Sequence, residues 1–237
     1  MSVKLIYSSP IWLIANAIRY SHDNHHLSDT DNIRDFHGLD LTENPDFNDI
    51  GIKDFDLIKR VGFKMKHESV LEHSLIVFEF EASRALLQEL SRSRIGISPT
   101  VKSTRYVLKK DLKNEEPFLG NISNFERAKK YVYFTNNDKV NRAILLALEN
   151  VRALVYEGYS NDIVKYAIPE AMLFKGQYSF NLRSLVNLLN LRTNKDVLPE
   201  FQQLCKDIID SLPDDYKELV LTNEKIRTNY EWIKNGK

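Results

Sequence analysis

One cysteine, Cys205, stands in a chain of 237 residues. An intramolecular disulfide and a cysteine-rich zinc site are thereby excluded. An excess of charge is also missing, since 33 basic side chains are balanced by 33 acidic ones. General nucleic-acid binding draws on a broad basic surface, so it is not expected; a small local anion site stays open. No run of about 18 apolar residues occurs, so no membrane span is expected. The N-terminal stretch MSVKLIYSSPIWLIANAIRY carries Arg19 and polar breaks where a secretory signal has an apolar core. A soluble cytoplasmic protein with neither nucleic acid nor membrane as partner is the expectation. The glycine spacing and Lys-Ser of a P-loop are absent too, and no internal repeat is found. What is present is enough length for one large domain or two small ones, with a real hydrophobic core.

The pattern along the chain predicts a helix-rich α+β domain with few strands. VKLIY (3–7) reads as a short strand and 10–20 as a helix begun near Pro10. Residues 22–53 are acidic, rich in turn residues and without period, and predict a long surface loop or inserted excursion. A helix over 54–66 follows, with Phe55, Ile58, Val61 and Met65 near helical spacing. SLIVFEFEA (74–82) alternates as a strand, and Ser83 is placed to cap a helix over 84–94. Ser123 and Glu126 have capping-box spacing for a helix to about 135. A long helix from about 138 to 157 ends at Gly158. A short one from Asp162 stops before Pro169, LFKGQYSF (173–180) is a strand, and helices over 181–192, 198–211 and from 213 close the chain.

Three constellations carry chemistry. In RSRIGISPTVKSTRY, Arg92 and Arg94 sit where a helix is expected to end, and cations there complement its dipole. That alone explains two arginines. The continuation adds Ser98, Thr100, Lys102, Ser103, Thr104 and Arg105. Hydroxyls, backbone N–H groups and guanidinium forks are what a phosphate monoester needs, so the stretch reads as an anion cradle. In KHESVLEH, His67 and His73 are six apart, a poor spacing for zinc on one helix face. No metal is expected; a solvated turn or a hydrogen-bonding edge for a planar ligand remain. In NLRSLVNLLNLRTN, Asn181 and Arg192 align with Leu185 and Leu188, while Arg183, Asn187, Asn190 and Asn194 form a polar strip. A solvated helix face would explain that strip, although its order is unusual for one. Cys205 belongs to an apolar stripe with Phe201, Leu204 and Ile208, which predicts a buried structural thiol and not a nucleophile.

Taken in order, RSRIGISPTVKSTRY, HESVLEH and NLRSLVNLLNLR resemble the flavin-dependent thymidylate synthases. That family carries an R-H-R-x7-S signature, a preceding H-E-x-x-x-E-H segment and a late N-x-R-S-L-x-N-x-x-x-L-R helix. The resemblance covers most of 3–215. It implies one domain over 1–220 with a small antiparallel sheet, the acidic insertion at 22–53, and an extension over 221–237. It implies conversion of dUMP to dTMP, with a methylene from 5,10-methylenetetrahydrofolate and reducing equivalents from NADPH through FAD. It also implies a homotetramer with active sites shared between subunits.

By the same resemblance, Ser103 and Arg105 hold the dUMP phosphate, Lys165 stands where many members carry a phosphate-binding Arg, and Glu89 faces the nucleotide. Arg192 contacts the uracil edge and polarises it. FAD falls to His67, Ser69, Arg92, Ser93, Arg94, Asn181, Arg183 and Asn187, with Ser21 beside them. His67 and Tyr106 border the folate and nicotinamide side. The elementary chemistry agrees: a pyrimidine made nucleophilic at C5 develops negative charge that a fixed guanidinium stabilises. Two positions depart from the signature. Ser93 replaces its central His, and eight residues instead of seven separate Arg94 from Ser103. Gly96 and Pro99 are the residues able to absorb the extra one as a local bulge. Three other readings stay open: a related flavoenzyme with another pyrimidine substrate or a hydroxymethyl product, a non-catalytic nucleotide-binding homologue, and a helix-rich interaction protein. Product analysis separates the first, absence of flavin the second, and indifference of thermal stability to FAD and dUMP the third.

Overall fold

The computed structural model describes residues 1–34, 49–118 and 122–236. Four strands, β1 (Ser2–Ser8), β2 (Ile76–Ser83), β3 (Ile97–Val101) and β4 (Leu173–Phe180), form one antiparallel sheet in the order β1-β2-β4-β3. The helices, in chain order, are α1 (Trp12–Tyr20), α2 (Asp31–Arg34), α3 (Ile52–Ile58), α4 (Arg84–Leu90), α5 (Thr104–Leu112), α6 (Ile122–Ala128) and α7 (Asp138–Tyr156). They continue as α8 (Asn161–Val164), α9 (Leu182–Arg192), α10 (Pro199–Ser211), α11 (Asp214–Leu221) and α12 (Glu224–Lys234). The expected class, α+β and helix-rich with a small antiparallel sheet, is the class observed. No helix of the described residues is long and apolar enough to cross a membrane.

Two compact units divide the chain. The first holds Met1–Ser2, Phe80–Arg92 and Pro99–Gln177. Its core gathers around α7, where Leu145, Leu148, Val151 and Val155 recur at helical spacing and are buried. Asn137 starts this helix, its Oδ1 accepting from the N–H groups of Lys139 and Val140 at 3.0 and 3.2 Å. Gly158 ends it at φ +96°, in the left-handed region that glycine enters freely. Inside this unit Arg152 forks onto Glu149 at 2.7 and 2.8 Å, and the same carboxylate accepts from Phe118 N–H at 2.9 Å. The Arg152 hydrogen bonds hold the Glu149 carboxyl below its ordinary pKa.

The second unit holds Val3–Glu79, Ser93–Ser98 and Tyr178–Lys237. Its core is helical: Trp12, Ile14 and Ile18 of α1, Leu185, Leu188 and Leu189 of α9, and Phe201, Leu204, Cys205 and Ile208 of α10 are all buried. Full burial of such side chains stabilises by roughly 1.5–3 kcal/mol each before entropy is charged. The Cys205 thiol is fully covered, and burial pushes its pKa well up, with the Arg192 charge opposing. Helix α12 contributes Ile226, Tyr230 and Ile233 to this core, and Tyr230 donates to Asp210 at 2.6 Å. The tail expected as an extension is thus part of the packing of this unit.

Several expectations are corrected. Between 22 and 53, residues 35–48 lie outside the described residues, and residues 22–27 are largely exposed as expected, but 28–33 are not a surface loop. A 3-10 turn (His25–Leu27) and α2 form there, and Ser28, Thr30, Asn32 and Ile33 are buried. Polar residues go inside because they are satisfied. Asp29 accepts from Lys53 and Asp54 N–H at 2.8 and 3.0 Å, and Thr30 Oγ1 accepts from Gly51 N–H at 3.0 Å. Buried Asp54 accepts from Arg19 Nε at 2.6 Å and from Ser28 Oγ. The helix over 54–66 is α3 followed by a π turn (Lys59–Lys64), whose wider spacing leaves Met65 exposed. α4 stops at Leu90, not 94, where Ser91 Oγ turns back to Gln88 O at 2.7 Å. α6 spans Ile122–Ala128, so Ser123 lies within its first turn and the helix stops short of 135, the chain leaving for a bridge between Val132 and Met172. Two further elements were unexpected. β3 contains Pro99, which is tolerated because β3 is an edge strand. α5 begins after Ser103 at its N-cap.

The Arg19–Asp54 pair is buried on both sides and therefore costly to disturb. Asp54→Ala leaves Arg19 buried without its carboxylate and should lower the unfolding free energy by about 3–5 kcal/mol. Denaturant titration, with an unchanged m-value, checks this.

Candidate active site

The segment Ser93–Ser98 and the start of α9 are knotted together inside the second unit. Asn181 caps α9, its Oδ1 accepting from Ser184 N–H at 2.8 Å. The N–H of Asn181 donates to Gly96 O at 3.2 Å, and Ser184 Oγ donates to Ile95 O at 2.7 Å. Leu182 N–H donates to Ser74 Oγ at 2.8 Å, and Ser74 Oγ donates to Leu71 O at 2.9 Å. The HESVLEH segment, here a 3-10 turn (Glu68–Glu72), is thereby tied to the same helix end. Gly96 is at φ +68°. A Cβ there would collide with Ser184 Oγ and lie 2.5 Å from Asn181 Nδ2.

This knot borders a cavity of about 470 Å³. α9 turns Leu185, Leu188 and Leu189 to the core and presents Arg183, Asn187 and Asn190 to the cavity. Lys66, Glu68 and Ile95 line it as well. Arg183 is held by two carboxylates, NH1 donating to Glu72 at 2.6 Å and Nε lying 3.3 Å from Glu68. These contacts raise the Arg183 pKa further. Of the residues expected to hold FAD, Arg183 and Asn187 line the cavity. His67, Ser69 and Arg94 are exposed and flank its lining residues in sequence, with Ser93 half-buried. Asn181 spends its Oδ1 on the cap. Ser21 is not brought to this cavity; its Oγ donates to Ile18 O at 2.6 Å. Arg92 belongs to the first unit. Arg192, last in α9, is half-buried with its guanidinium 5.1 Å from the Phe201 ring centre.

In the first unit, Lys102, Ser103 and Thr104 line a second cavity of about 190 Å³ with Arg84 and Asp111. Ser103 is the N-cap of α5, yet its hydroxyl does not cap the helix. A free hydroxyl beside N-terminal N–H groups is suited to an anion. Lys102 N–H donates to Lys175 O at 2.7 Å, and its ammonium meets Asp111 at 2.5 Å. Arg105 is exposed, 3.2 Å from Asp162, and its carbonyl accepts from Asn161 Nδ2 at 2.6 Å. Lys165 is exposed near the Tyr166 ring, Glu89 is half-buried on α4, and Tyr106 is exposed. Arg84 was not foreseen. Its Nε is buried without a hydrogen-bond partner among the described residues. Only its place right after the Ser83 cap could have hinted at it. No cluster of His, Cys, Asp and Glu able to hold a metal ion occurs among the described residues.

Gly96→Ala should unfold the knot. Left-handed strain contributes about 1–2 kcal/mol, and the Cβ clash adds to it, so a loss of at least about 2 kcal/mol is expected. Thermal unfolding of the variant, with Gly158→Ala as an open-space control, measures it.

The comparisons with known proteins bear on most of the chain. Residues 4–214 match the family described as thymidylate synthase complementing protein. A flavin-dependent thymidylate synthase of Helicobacter pylori (strain J99) is 48% identical over 175 residues, covering 73% of this chain and 83% of that protein. One from Wolinella succinogenes is 44% identical over 176 residues, covering 74% and 84%. The crystal structure of thymidylate synthase X from Helicobacter pylori with FAD and dUMP superposes with TM-score 0.83 at 40% identity, over 96% of this chain and 100% of that one. With its three motifs knitted as described and its full fold shared, this chain belongs to the thymidylate synthase complementing protein family, the family of the flavin-dependent thymidylate synthases.

Proposed function

We propose that the chain is a flavin-dependent thymidylate synthase that converts dUMP to dTMP, with 5,10-methylenetetrahydrofolate as the one-carbon donor and NADPH as the reductant. FAD, when bound, carries the reducing equivalents. The observation that carries this reading is the α9 knot: it ties the HESVLEH segment, the Ile95–Gly96 turn that follows RSR and the start of NLRSLVN together beside one cavity. The polar set there suits a flavin dinucleotide, because amides, a guanidinium and an ammonium line a cavity of several hundred cubic ångströms. Arg183, Asn187, His67, Ser69, Ser93, Arg94 and Asn181 are assigned to FAD, with Arg92 and Ser21, which do not line this cavity, as contacts from another copy in a site shared between subunits.

Ser103 and Arg105 are assigned to the dUMP phosphate, with Lys165 as a third cation and Glu89 toward the nucleotide. Arg192 is assigned to the uracil edge. Packing on Phe201 fixes its guanidinium before substrate arrives, so charge developing on the pyrimidine meets an already oriented donor. His67 and Tyr106 are assigned to the folate and nicotinamide side. The additional residue between Arg94 and Ser103 is placed at Ile95–Gly96, since Gly96 is the left-handed position in that interval. A homotetramer with shared sites completes the reading. Exposed Tyr106, Ile163 and Tyr166 of the first unit are apolar groups that a second copy would cover. The enzyme is assigned to the cytoplasm.

Purified or FAD-reconstituted protein should show flavin absorbance and gain thermal stability with FAD; colourless protein with no shift at millimolar FAD contradicts the reading. Arg192→Ala should lower kcat far more than it changes dUMP affinity. Ser103→Ala should weaken dUMP binding by about 1–2 kcal/mol and leave kcat closer to the parent. Equal turnover in both variants removes these two assignments.

A further inference from the structure

Lys66 has a backbone that glycine would occupy more easily. Its φ is +58°, one of two non-glycine positions with positive φ among the described residues. The position closes the π turn: His67 N–H reaches back to Val61 O at 3.0 Å, a helix-ending geometry that favours Gly or Asn. Holding a long cationic side chain there carries strain that a glycine would remove. The side chain lines the 470 Å³ cavity with Arg183, Asn187 and Asn190. Arg183 is already engaged by Glu68 and Glu72. Lys66 makes no ion pair or hydrogen bond among the described residues, so it is the cation of the cavity lining left for a ligand.

We propose that Lys66 binds the phosphoanhydride of the dinucleotide held in this cavity, an assignment that rests on the FAD reading above. A strained backbone is retained because the left-handed turn aims this ammonium into a cavity whose guanidinium, that of Arg183, is already paired with carboxylates. The ammonium then supplies a charge-assisted hydrogen bond to a phosphate oxygen.

The test compares parent, Lys66→Gly and Lys66→Gln in fluorescence titrations with FAD and with riboflavin, which lacks phosphates. Lys66→Gly should melt no lower than the parent without ligand, since it relieves the turn. Both variants should bind FAD roughly tenfold more weakly, as expected for a lost hydrogen bond to a charged group. Riboflavin affinity should be unchanged. Equal FAD affinity in parent and variants overturns the proposal while the FAD reading stands. An equal loss for riboflavin also overturns it, because Lys66 would then not be reading phosphate. Parent protein that binds no FAD removes both.

Discussion

The hydrogen bonds between the start of α9 and the Ile95–Gly96 turn are the constraint on which the second unit's site depends. Two backbone carbonyls, a cap amide and a serine hydroxyl meet there within 3.2 Å. Each such bond is worth only about 1 kcal/mol net. Their value is positional: together with Ser74 they fix three sequence-distant motifs in one register. A side chain at Gly96 would not fit that closeness, which is why the turn contains a glycine in a left-handed conformation. The buried leucines of α9 set the helix rotation, so its Arg and Asn residues have only one direction left.

The polar interior below α1 plays a complementary part. Asp54 collects Arg19 and Ser28, and Asp29 organises the start of α3. From there the chain runs through the π turn to Lys66 and the HESVLEH segment. Asp29 and Asp54 thus anchor the approach to the cavity, and both carboxylates are used internally.

Much of this was legible in the sequence where a local rule and the tertiary environment agree. β4 and α9 lie where they are expected, α7 begins at Asp138 and is closed by Gly158 as expected, and Cys205 sits in its apolar stripe. Legibility failed where distant partners decide. β3 could not be foreseen, because Pro99 argues against a strand until its edge position is known. Ser28 and Thr30 look solvated until Asp54 and Gly51 are placed beside them. In the site, residue types and order pointed to Arg183 and Asn187, both cavity-lining, whereas Lys66 and Arg84 were missed. A left-handed lysine leaves no periodic trace, and an arginine after a helix cap reads as ordinary surface.

The most direct measurement is turnover of dUMP carrying tritium at C5, in the presence of FAD, NADPH and 5,10-methylenetetrahydrofolate. The account predicts dTMP and tritium released to water, both lost when FAD, NADPH or the folate is omitted. Folded protein that binds FAD and dUMP yet forms no dTMP and releases no tritium would contradict it.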